Sequence, residues 1–160
     1  MTDKKSNKPE ITADMGPQAM FEAAFWGVTE QGCQATNSTG GCVYLTPDVG
    51  PRPETRCALG HAMTKEQARN LVISHIGGMS QYATTADCTE DGEEFDPDGH
   101  GYTWMPRQVA RNMALCLDMQ DAHDSVTDHG DDTGFVSEYH DKMRAVSLKH
   151  ALVIPEGGAA

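Results

Sequence analysis

Several things are scarce or missing from this chain, and each absence narrows what it can be. No apolar run approaches the roughly eighteen residues that a helix needs to cross a bilayer. The basic start, with Lys4, Lys5 and Lys8, is not followed by an apolar segment of signal-peptide length. The expectation is a cytoplasmic protein with no membrane partner. Lysine and arginine are also scarce, 12 against 24 acidic residues among 160, for a formal net charge of −12. Phosphate backbones are bound by clustered Lys and Arg, so direct nucleic-acid binding is disfavoured. The cysteines (Cys33, Cys42, Cys57, Cys88, Cys116) are odd in number and irregularly spaced, which predicts reduced thiols rather than a disulfide framework.

What is present is unevenly spread. Residues 80–105 hold seven acids and residues 118–141 hold eight, with no Lys or Arg in either stretch. The remainder, with nine acids against twelve Lys and Arg, is mildly basic. Such segments solubilise, and they favour a cation or a partner with a basic surface.

Hydrophobic periodicity predicts a mostly α (α+β) single domain with about four helices and one small β-hairpin or two-stranded sheet. Residues 1–16 lack periodicity and read as a disordered arm, 17–154 as the globular domain with an acidic insert at 80–105, and 155–160 as a tail. Pro17 is placed for a first helical turn, and Met20, Phe21, Ala24, Phe25 and Val28 mark one apolar face that should end near Gly32. Cys42 to Leu45 reads as a short strand, followed by a stretch in which Pro47, Pro51 and Pro53 forbid regular structure. A short helix is expected over residues 57–63, a second capped by Thr64, a long one from Pro106 to His123, and a last one from Phe135 to about Leu152. Cys116, inside the long helix, reads as a buried small hydrophobe.

Three reactive constellations stand out. Cys57 and His61, four apart on a helix, share a face, and with Cys42 and His123 they could complete a tetrahedral zinc set. Cys57 at a helix start, with His123 as base and Asp124 or Gln120 assisting, could form a nucleophilic site. The tandem His123-Asp124, with His61 or His75 and Asp141, has the residue types of a His-Asp phosphohydrolase. The insert also holds Glu94, Asp96, Asp98 and Gly99 in the order of a calcium loop, but Met105 stands where the bidentate carboxylate belongs. Against all of these, Cys and His also serve as packed and hydrogen-bonded core residues.

Taken together, Gln31-Gly32, Gly41-Cys42-Val43-Tyr44, Arg56-Cys57-Ala58-Leu59-Gly60-His61, Leu117 through Asp124, and Lys149-His150-Ala151-Leu152 resemble a family of small uncharacterised proteins from tailed bacteriophages, bacterial genomes and plasmids. The match runs in order over residues 18–152. Leu45 and Met119 depart from the family pattern, and the linker between the two cysteine motifs is long and proline-rich. The resemblance implies a phage or mobile-element origin and an intracellular location, and it brings no established activity.

The expectation is therefore an accessory protein, a non-enzymatic binding or regulatory domain acting on a host protein with a basic surface or on a small molecule. Its binding surface would form around Tyr44, Cys57, His61, Gln120 and His123. The alternatives are a metal-dependent or cysteine-nucleophile hydrolase using Cys57 and His123, with Asp124 or Gln120 assisting, and a small domain stabilised by zinc on Cys42, Cys57, His61 and His123.

Overall fold

The computed structural model describes residues 6–36, 44–46, 53–74, 106–127 and 131–157. It is mostly helical, with six helices and no strand among the described residues: α1 (Pro17–Gln31), α2 (Ala58–His61), α3 (Lys65–Ser74), α4 (Arg107–Arg111), α5 (Met113–Asp124) and α6 (Asp132–Lys149). None of the described helices is long and apolar enough to cross a membrane.

The periodicity of α1 places Met20, Phe21, Ala24, Phe25 and Val28 in the core, and the helix stops where Gly32 N–H returns to Val28 O. This helix packs against α2, α5 and α6, while α5 packs against α2 and α6. Phe135, Tyr139, Met143 and Val146 form the buried stripe of α6, which starts at an Asp131 cap on Gly134 N–H at 2.7 Å. Tyr139, fully buried, donates its hydroxyl to Ala24 O at 3.1 Å and so locks α6 to α1. Burying each of these large apolar side chains contributes about 2 kcal/mol. The His140 ring stacks on Phe25, with centroids 4.5 Å apart, and its Nε2 lies 2.7 Å from Thr29 Oγ1.

Two expectations are refined. The long helix from Pro106 is interrupted at Asn112, whose φ of −123° leaves the helical region. Its side-chain amide donates to Gln108 O at 2.8 Å, back-bonding that competes with the helical ladder. Of the expected hairpin or two-stranded sheet, the described residues contain an isolated antiparallel bridge between Leu45 and Arg56, extended by Thr46 N–H to Thr55 O at 2.8 Å. The rest of the expected strand, Cys42 and Val43, lies outside the described residues, as does the whole acidic insert with its calcium-like loop.

The short helix and its successor begin as the sequence suggests. Thr64 and Gln67 exchange side-chain and backbone hydrogen bonds at 3.1 and 3.0 Å, a capping box that starts α3. Cys116 is fully buried, and burial pushes its thiol well above the usual range. Cys33, Cys57 and Cys116 are in no disulfide.

Candidate functional site

The motifs that drew notice in the sequence meet in the structure, and what they build is a support. Cys57 caps α2, its Sγ accepting from Gly60 N–H at 3.3 Å. Gln120, reaching across from α5, accepts from Leu59 N–H at 3.3 Å, so a second amino-terminal donor of α2 is also satisfied. The other end of the Gln120 amide donates to Asp124 Oδ1 at 2.8 Å, and the same oxygen pairs with His123 Nδ1 at 2.8 Å. The Gln120, His123 and Asp124 side chains are thus one hydrogen-bonded unit. Its imidazole, fully buried, has the rings of Phe135 and Tyr139 edge-on at 6.3 and 6.4 Å. Burial, with nearby Cys57 adding to it, raises the Tyr139 phenol far above its ordinary pKa. Gly60 fits this packing because a β-carbon there would collide with the carbonyl oxygen of Tyr44 and lie 3.1 Å from Arg56 Cβ.

This unit positions His61, the last residue of α2. The imidazole lies over α1 at Gly27, where any β-carbon would collide with His61 Cγ and Nδ1. Beside it, Gln31 has a forced orientation: its Nε2 donates to Cys33 O and Arg56 O at 2.7 and 3.0 Å, while its Oε1 accepts from Arg56 N–H at 2.7 Å. With Oε1 fixed as an acceptor, His61 Nε2 at 3.1 Å must carry the proton. That leaves Nδ1 as the acceptor for the Lys8 ammonium at 3.4 Å. A neutral imidazole is what the surroundings demand. Burial, followed by the charges of Lys8, Arg56 and His123, lowers the His61 pKa to about 2.

These residues floor a cleft of about 520 Å³ lined by Lys8, Gly27, Gln31, Cys33, Arg56 and His61, with Glu30, Pro53, Glu54 and Thr55 around them. Its charges are arranged unevenly. Glu54 accepts from Arg56 Nε and Nη2 at 3.2 and 3.1 Å and pairs with Lys65 at 2.6 Å. Burial alone would raise its carboxyl, but those two cations outweigh it and hold the pKa below the usual value. Glu30 accepts from Ser6 Oγ at 2.8 Å and Asn7 N–H at 2.9 Å, seating the amino-terminal residues along α1. Lys8 is pushed down to about 8 by burial and by Arg56, with Glu30 opposing.

The expected site residues therefore divide. Cys57 and His123 have no exposed surface, Gln120 is half-buried, Tyr44 is half-buried with its carbonyl against α2, and His61 alone of that group lines the cleft. Asp124 is exposed, and its Oδ1 serves His123 and Gln120. Asp141 pairs with Arg144 at 2.9 Å on the surface of α6. Among the described residues no group of three or more His, Cys, Asp or Glu side chains could hold a metal ion. Cys42 and His75 lie outside them. Both nitrogens of His61 are engaged, one of them with an ammonium, which is a poor setting for a cation.

Lys8, Gly27, Gln31 and Arg56 were not singled out as site residues. Gln31 and Arg56 stood within the conspicuous motifs but carry unreactive groups, and nothing around Lys8 in the sequence marks it.

No protein-family model matches this chain, and no curated protein and no solved structure matches it.

Proposed function

We propose that the chain is a non-enzymatic binding protein for a small molecule, held in the cleft between α1, α2 and residues 53–56, in keeping with the accessory role that the phage-like motifs imply. The observation that carries this reading is the cleft itself. Its 520 Å³ falls in the size range of small-molecule sites, and its floor is a polar network fixed by Gln31. The chemistry favours holding a ligand over transforming it. His61 is neutral with both nitrogens engaged, so it offers no base near neutral pH. The Cys33 thiol is raised by burial and by Asp132, which keeps it from the thiolate form a nucleophile needs. Cys57 and His123, the residues of the hydrolase alternative, have no exposed surface through which a substrate could reach them.

A thermal-shift screen of anionic, neutral and cationic metabolites at millimolar concentration tests the proposal. At least one compound is expected to raise the melting temperature of the wild type and to leave Cys33→Trp, which fills the cleft, unshifted. The unliganded melting temperature of the variant reports that it has folded. A panel that shifts neither protein, or shifts both equally, would remove the cleft as the binding site.

A further inference from the structure

The way the charges of the cleft are paired bears on what it holds. Two cations, Lys8 and Arg56, line the same space and interact closely enough that Arg56 disfavours the Lys8 ammonium. The two carboxylates at its edge are already engaged. Glu54 has both oxygens on Arg56 and Lys65, and Glu30 has both on Ser6 and Asn7. Among the described residues, the Lys8 ammonium has His61 Nδ1 as its hydrogen-bond acceptor, and that acceptor is neutral. Arg56 directs Nε and Nη2 to Glu54, which leaves Nη1 with no acceptor among those residues.

We infer that the cleft selects small acids, a carboxylate or phosphate group being held between Lys8 and Arg56 beside His61, an assignment that rests on reading the cleft as a small-molecule site. An anion there relieves the repulsion between the two cations, gives Lys8 a charged acceptor, and adds one for Arg56 Nη1 beside its existing pair with Glu54, the stronger class of hydrogen bond. The neutral His61, held by Gln31, keeps the ammonium aimed without adding a third charge. The volume exceeds what one anionic group needs, so the rest of the ligand occupies the wall formed by Cys33, Pro53 and Thr55. Because Lys8 comes from the amino-terminal segment fastened to Glu30, the bound acid also bridges that segment to α1 and to residues 53–56.

Calorimetric titration of the full chain at pH 7 distinguishes the possibilities. The probes are inorganic phosphate, adenosine monophosphate and succinate, with adenosine and succinamide as neutral counterparts. Binding of at least one acid, with its neutral counterpart weaker by at least about tenfold, is the expected result. Which acid binds separates the phosphate source from the carboxylate source. Lys8→Met should weaken that acid about tenfold while leaving the unliganded melting temperature unchanged or higher, since a partly buried charge is removed. Neutral counterparts that bind as well as the acids, or an acid that binds Lys8→Met unchanged, would overturn the selectivity and leave the cleft as a small-molecule site. Absence of binding by acids and neutral compounds alike would count against both.

Discussion

The two ends of α2 do different work. At its start, buried Cys57 and His123, half-buried Gln120 and exposed Asp124 form a hydrogen-bonded support directed at one another and at α2. At its end, His61 emerges beside Gln31, Arg56 and Lys8 into a cleft where the acceptor of the Lys8 ammonium is a neutral ring nitrogen. The residue types best known for chemistry are concentrated at the first end, and the cleft lies at the second. A thiol and an imidazole inside a core are polarizable, hydrogen-bonding packing elements, and their reactivity depends on access that burial removes.

Gly60→Ala should break this arrangement most severely, because it strikes the element that both ends share. The added carbon meets the Tyr44 carbonyl, a backbone group that cannot rotate aside. A loss of about 3 kcal/mol is expected in urea unfolding, together with loss of ligand binding in whatever fraction remains folded. A variant as stable as the wild type would mean that α2 is free to shift away from Tyr44 and that the support does not fix the cleft.

His61 provides a subtler way to separate the ends, through pH. Its folded pKa of about 2 lies below the ordinary value of 6.5, so between those values the unfolded chain binds a proton that the native protein refuses. Stability from this group is full above pH 6.5 and is lost as pH falls toward 2. Glu54 and Asp118, also lowered, contribute fully above their ordinary values of 4.5 and 3.8 and lose that contribution only below them, which leaves a window from 4.5 to 6.5 in which they add no pH dependence. In urea unfolding across that window, the advantage of the wild type over His61→Gln should shrink as pH falls, with a slope approaching one proton. An advantage that is constant with pH would mean that the imidazole is hydrated and the floor of the cleft is open.

The sequence was most readable where one physical signal dominates. A three-to-four-residue apolar repeat between Pro17 and Gly32 leaves α1 little alternative, and Thr64 with Gln67 marks the start of α3 by capping chemistry alone. It was least readable where structure depends on contacts distant along the chain. Asn112 breaks the long helix through a local bond to Gln108 that an apolar stripe on both sides conceals. The support was visible as residues but not as roles. Gln120 in its motif looks like an assistant to a catalytic histidine, and only the fold reveals that its carbonyl faces Leu59 N–H, 61 positions away. The cleft was almost illegible, because Lys8, Gln31 and Arg56 are ordinary residues brought together by packing. Gly27 is informative only once His61 is known to lie over it.

Cys57 gives the smallest expected effect and the finest distinction between the two ends. As a cap, its sulfur is a weak acceptor for Gly60 N–H, and a serine hydroxyl is a better one, although burying that hydroxyl offsets part of the gain. Cys57→Ser should therefore stay within about 1 kcal/mol of the wild type, whereas Cys57→Ala, which leaves the amide unanswered, should lose about 1 kcal/mol. Both variants should keep their affinity for the cleft ligand. If the thiol served only to fill apolar space, the order would reverse, since alanine is the more easily buried of the two. Alanine equal to or more stable than serine in matched urea titrations would show that the sulfur packs and does not cap. Serine above alanine, with ligand binding unchanged in both, places the most reactive side chain of the motif in the service of the helix that carries His61.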